Sequence, residues 1–151
     1  MSTLDENPNC EATHATFRLI GDSLKPTEVE AALGIQGDFG VARDEIRRGG
    51  IVAKRTVRQP TGVWYLTTEG KPGSTSVERH LIYLLEQVEP VSERLAQLVD
   101  RASLTADLYC YWVSATGQGG PAVSAETLDR IARLSAELSF EFHGPWHGEI
   151  V

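Results

Sequence analysis

Apolar and polar positions alternate along residues 15–21. Phe17 and Leu19 fall on one face, with Thr16, Arg18 and Ile20 on the other, which predicts a strand. Val29, Ala32 and Leu33 then recur at helical spacing. Thr27 and Glu30 form a capping box before them, Pro26 lies near the first turn, and Gly34 supplies the stop. A glycine-punctuated stretch runs on to Gly50. Two β-rich runs, 51–57 and 63–67, flank Gln59-Pro60-Thr61-Gly62, whose proline and glycine predict a hairpin. In the second run Trp64 and Leu66 share one face, opposed by Val63 and Tyr65.

A Gly/Pro/Ser-rich loop at 69–74 leads to a second capping box, Thr75 with Glu78. Val77, Leu81, Leu84, Leu85 and Val88 follow, at offsets of four, seven, eight and eleven from the first, the strongest amphipathic helix in the chain. Pro90 must interrupt it, after which Val91, Leu95, Leu98 and Val99 continue an apolar face to about Ala102. Residues 105–113 read as a central strand, with Leu108, Cys110 and Trp112 opposed by Tyr109, Tyr111 and Val113. A loop over 116–121 and a short strand at Ala122-Val123 precede Ser124, a good N-cap. The helix it opens places Leu128, Ile131, Ala132 and Ser135 on one face, and Leu138, Phe140 and Phe142 alternate in a closing strand. This order predicts an α+β fold: a mixed or mainly antiparallel sheet of about five or six strands, helices packed mainly on one face, in a ferredoxin-like manner. The expected layout is a disordered N-terminal tail over 1–12, a single domain over 13–144 and a C-terminal tail over 145–151.

Composition narrows the class. At 151 residues the chain fits one domain with a real core and needs no metal or disulfide staple. No apolar run approaches the roughly 18 residues of a membrane helix. Residues 1–11 hold one leucine and no base, so they lack both parts of a secretory signal. Two cysteines, Cys10 in the expected tail and Cys110 in a strand, make no disulfide framework, and the expectation is a reduced, cytoplasmic protein. The net charge of −7 is uneven: residues 38–58 carry +3, leaving −10 on the other 130. An acidic body disfavours nucleic acid and suits docking to a basic partner.

Several short marks occur in order: Phe17-x-Leu19-x-Gly21, Pro26, Leu33-Gly34-Ile35, Gly62-x-Trp64, His80-Leu81 with Leu84-Leu85, Pro90, Trp112, and Leu128/Ile131/Leu134/Phe140. Over roughly 17–142 the chain therefore resembles the bacterial domain-of-unknown-function family 4279. That resemblance implies a small bacterial α+β protein and no established activity, so it supplies no catalytic residues. The basic stretch at 43–50 and Trp146-His147 lie outside the matching pattern.

Candidate chemistry is sparse. His80, at the border of a strong apolar face, is a weak candidate for a general base, because no orienting partner or nucleophile is apparent in the sequence. Its ordinary role would be a hydrogen bond at the edge of the core. His143 and His147 are weak candidate metal ligands, and the Gly144-Pro145 between them rules out the helical spacing that brings two imidazoles together. Arg48, Lys54, Arg55 and Arg58 could grip an anion, although charged edge strands also form simply to discourage aggregation. Tyr65, Tyr109 and Tyr111 should share the face opposite Trp64 and Trp112, open to a partner if helices cover only one side. The phosphate-binding, dinucleotide, zinc and nucleophile-elbow signatures are missing from the sequence. The leading reading is thus a non-catalytic, cofactor-free, protein-binding domain, in one version an immunity-type inhibitor of a basic toxin. The alternative is a receptor for a small anion, or an enzyme, using the basic hairpin with His80. An exposed edge strand or the tyrosine face would also serve a homodimer.

Overall fold

A computed structural model describes residues 2–48, 56–58 and 60–145. In chain order its elements are β1 (Cys10–Gly21), α1 (Pro26–Leu33), β2 (Phe39–Val41), β3 (Ile46–Arg48), β4 (Thr56–Arg58), β5 (Gly62–Thr67) and α2 (Val77–Val88). A 3-10 turn at Glu89–Val91 leads to α3 (Ser92–Ala102), β6 (Thr105–Ser114), α4 (Ala125–Arg133) and β7 (Glu137–His143). Five strands form one mixed sheet in the order β2-β5-β1-β6-β7. Neighbours among the first four are antiparallel, and β7 runs parallel to β6. With α1 between β1 and β2, and α2 and α3 between β5 and β6, those four strands reproduce the split β-α-β order of ferredoxin-like folds. The fifth strand is added through α4, because a parallel neighbour needs a crossover rather than a hairpin.

The alternation seen in the sequence decides which side is core. Phe17 and Leu19 on β1, Trp64 and Leu66 on β5, and Leu108 and Cys110 on β6 are all buried on one face. Against them pack Val29 and Leu33 from α1, Leu81, Leu84, Leu85 and Val88 from α2, Leu95 and Leu98 from α3, and Ile131 from α4. Gly37 lies so close to the Trp64 indole that a Cβ there would overlap the ring. Gly34 adopts φ 68°, ending α1 in the left-handed cap read from the sequence. Ser124 caps α4 by accepting from Thr127 N at 3.3 Å, also as read.

Several local expectations are corrected. Of the run after Gly50 only Thr56–Arg58 lies among the described residues, and it does not pair with β5. β4 pairs with β3 in a separate two-stranded sheet, while β5 lies between β1 and β2. Both edges of β5 are occupied, one by the long β1 and the other by β2, so neither is open to β4. Thr27 caps nothing, since Lys25 is the N-cap of α1 and makes no side-chain bond. Ser76, rather than Thr75, caps α2 by accepting from Arg79 N at 3.4 Å. Ala122-Val123 is not a strand. On α4 Leu128 faces out, 43% exposed, and Thr127 takes the buried position beside Ile131.

The segment read as a loose tail is tethered. β1 begins at Cys10, which is buried, and the residues before it reach the start of α2. Glu6 accepts from the Thr75 backbone and hydroxyl, both at 2.6 Å, and Asn7 N donates to Thr75 Oγ1 at 2.8 Å. Ser76 Oγ donates to the Thr3 carbonyl at 2.6 Å. Polar side chains hold this stretch where apolar anchors are lacking, which hydropathy alone does not reveal.

Candidate functional site

Among the described residues no helix lies over the second face of the sheet. The strand registers bring Phe39 and Tyr65 side by side, then Arg18 between Tyr65 and Asp107, and Tyr111 between His14 and Glu141. The rings of Phe39 and Tyr65 stack at 5.1 Å. Arg18 makes a two-pronged bond to Asp107, Nε at 2.8 Å and Nη2 at 2.6 Å, with its guanidinium 4.7 Å from the centre of the Tyr109 ring. The Tyr109 hydroxyl donates to Glu141, which also contacts His143 Nε2 at 2.5 Å. His14, Tyr111 and His143 form a run of rings with centres 4.9 and 4.8 Å apart.

These contacts set the face's electrostatics. The Asp107 carboxylate holds the Arg18 guanidinium firmly protonated, by hydrogen bonding first and charge second. Burial and the bond to Glu141 push the Tyr109 hydroxyl up to about 12, so it remains a donor. Bonds from Tyr109 and His143 hold the exposed Glu141 carboxyl below its ordinary range. The face is half-exposed, prepaired and rich in Tyr, Phe, His and Arg.

Tyr65, Tyr109 and Tyr111 are thus brought together on one face, with His143 beside Tyr111. Arg48 and Arg58 belong to the paired strands β3 and β4, opposite Thr56 and Ile46 respectively. Lys54, Arg55 and His147 lie outside the described residues. Among the described residues no three His, Cys, Asp or Glu side chains gather as a metal site. Arg18, Asp107, His14 and Phe39 are the face members that sequence reasoning did not single out. Arg18 carried a usable signal, since it stands between Phe17 and Leu19 and so faces away from the core. Phe39 lay in the glycine-punctuated stretch and carried none.

His80 sits on the helix side, 2% exposed. Its Nε2 donates to the Ser74 carbonyl at 2.8 Å, which leaves Nδ1 to accept from the Thr68 hydroxyl at 2.6 Å. Thr68 Oγ1 in turn accepts from Ala15 N at 2.9 Å. Burial lowers the affinity of His80 for a proton, outweighing the bond to Ser74. Both ring nitrogens are engaged, tying the 69–75 loop to β1. A shallow cavity of about 320 Å³ runs beside it, lined by Thr13, Pro72, Gly73, Ser74 and Thr75 among others.

Glu78 escaped the sequence reading except as a capping residue. It is 2% exposed, accepts from the Thr3 hydroxyl at 2.5 Å and from Ser124 N at the start of α4. Burial pushes its carboxyl up, but the bonds from Thr3, Ser124 and Thr127 outweigh that and leave it ionised below the usual range. Cys110, by contrast, is pushed up to about 12 by burial and is an inert thiol.

No helix among the described residues is long and apolar enough to cross a membrane. No curated protein and no solved structure matches the chain. A family does match, over residues 11–144: "Domain of unknown function (DUF4279)". With nearly the whole chain covered, the protein belongs to that DUF4279 family.

Proposed function

We propose that the protein is a non-catalytic docking module that holds a basic protein partner on the helix-free face of its sheet. The observation that carries this reading is the half-exposed lattice of Phe39, Tyr65, Arg18, Tyr109, Tyr111 and His143, prepaired by stacking and hydrogen bonds. Tyr and Arg on a rigid scaffold are the residue types that dominate binding energy, and their order in the free protein lowers the entropy lost on association. The edge of the face toward β7 is acidic, with Asp107, Glu137 and Glu141 there, and the chain outside residues 38–58 carries −10. That charge speeds encounter with a basic surface. In its sharpest form the partner is a basic toxin, neutralised by an immunity-type inhibitor.

The test compares affinity purifications from native cells using wild type and a Tyr65→Ala/Tyr111→Ala variant, with circular dichroism confirming equal folding. One stoichiometric basic protein should accompany wild type, weaken with added salt and be lost from the variant. Equal retention by both, or no stoichiometric partner, would overturn the reading.

A further inference from the structure

β7 is an end strand of the sheet, and among the described residues no strand pairs with its outer side. Native edges are usually guarded by charges or proline, because free N–H and C=O groups invite another strand. This edge is guarded on one face only. Glu137, Ser139, Glu141 and His143 occupy the helix-free face, while Leu138, Phe140 and Phe142 share the side of Leu108, Cys110 and Trp112. Phe142 is 60% exposed, more than any other large apolar side chain described. It stacks on Phe140 at 5.6 Å and meets the Trp112 ring edge-on at 6.1 Å. An ordered aromatic side chain at an unpaired edge is poorly suited to water.

We propose that β7 pairs antiparallel with β7 of a second copy of this chain, about a two-fold axis at Phe140, joining the two five-stranded sheets into one. The register follows from the sequence. A two-fold contact must be self-complementary, and residues directly opposite one another in a ladder point to the same face. Centring on Phe140 sets Phe140 against its copy, Leu138 against Phe142 and Glu137 against His143, with Ser139 opposite Glu141. Apolar meets apolar on one face and carboxylate meets imidazole on the other. Centring one residue later opposes Glu141 to Glu141. Centring one residue earlier opposes Glu137 to Glu141 twice and leaves Phe142 unpaired. Registers centred between residues place the apolar face of one copy against the polar face of the other. Centring on Phe142 also opposes Glu141 to His143 but engages only residues 141–143, so the Phe140 register alone satisfies both faces along all seven residues of the strand.

This contact runs through the backbone edge of β7 and shares only His143, Glu137 and Glu141 with the docking face, and its readouts, self-association and a cross-link, are separate from capture of a basic protein. Sedimentation equilibrium of the full chain should give twice its 16.5 kDa mass at high concentration, and Phe142→Glu should return it to a folded monomer. The register has its own readout in a Glu137→Cys/His143→Cys variant. Within one chain those positions lie about 20 Å apart along the strand, too far for a disulfide, which needs Cα atoms within about 7 Å. Across the two-fold they are opposite. Mild oxidation should therefore give a cross-linked dimer from the double variant and none from either single variant. The cross-link carries the proposal even if Phe142→Glu fails to fold. A single-chain mass at every concentration, or a dimer in which the double variant stays uncross-linked, overturns it.

Discussion

On one side of the five-stranded sheet, Phe17, Leu19, Trp64 and Leu108 are at most 1% exposed beneath the helices. One residue along each of those strands, Arg18, Tyr65 and Tyr109 stay half-exposed on the other side. The first face is held by area removed from water, about 1.5–3 kcal/mol for each large side chain fully buried. The second is held by directional pairs: a two-pronged ion pair and stacked rings, each contributing roughly 0.2–1.5 kcal/mol, with a tyrosine–carboxylate bond at its exposed edge. Stability therefore resides mainly in one face, and substitutions on the other should leave the fold intact. Neighbours in sequence should respond to the same substitution very differently.

The largest effect belongs to Trp64→Ala. The ring is fully buried and packed on Gly37, so its removal leaves a cavity under α1 and should cost about 3–5 kcal/mol. Urea unfolding would show this as a fall in midpoint with little change in slope. A loss under about 1 kcal/mol would mean that the core face is less tightly packed than its burial indicates.

This face was the legible part of the fold. Alternation in β1, β5, β6 and β7 assigned Phe17, Trp64, Leu108 and Phe140 correctly, because a buried strand face leaves a period-two trace. The strength of α2, the break at Pro90 and the stop at Gly34 were likewise written locally. Pairing was not. The choice of β3 rather than β5 as partner for β4 depends on β1 and β2 occupying both edges of β5, which no local pattern records. The tyrosines of the second face were found by the same alternation. Their partners Asp107, His14 and Glu141 were not, since a cross-strand contact requires the register. Glu78 and residues 2–9 were missed for another reason: the bonds that hold them are polar and join distant parts of the chain.

The next effect tests that polar tether. Glu78→Gln removes the charge that holds Thr3 and the start of α4, and should cost about 1–3 kcal/mol near neutral pH. The sign of the pH dependence follows from the lowered carboxyl affinity. The contribution is complete above the unfolded value of about 4.3 and is lost as pH falls through the lower folded value. Wild type and variant should therefore converge in stability on acidification. A gap that stays constant down to acid denaturation would rule out an ionised Glu78 as its source.

A smaller effect is expected at His80. Its neutral ring bridges Thr68 and Ser74, so His80→Gln should cost about 1–2 kcal/mol by loosening one of two buried bonds. Because its proton affinity is lowered in the folded protein, the unfolded chain takes up the proton first. Stability attributable to neutral His80 is complete above about 6.5 and declines as pH falls through the folded value. Denaturant midpoints measured between neutral and mildly acid pH should slope less in the variant than in wild type. An unchanged slope would assign the pH dependence to other groups.

Tyr65→Ala gives the smallest effect and the sharpest comparison, because Tyr65 adjoins Trp64 on the same strand. The substitution removes one half-exposed ring and its stack on Phe39, a pair whose geometry contributes about 0.5–1.5 kcal/mol beyond burial. Open solvent offsets part of that loss, so a net cost of about 1 kcal/mol is expected, several-fold below that of Trp64→Ala. Amide exchange should then report unchanged protection across β1, β5 and β6, since their ladders do not pass through this side chain. If Tyr65→Ala cost as much as Trp64→Ala, the second face would be a second core, covered in solution. On the proposed docking reading, a face that carries little stability while keeping its aromatic and charged groups in fixed positions could change with its partner without endangering the fold.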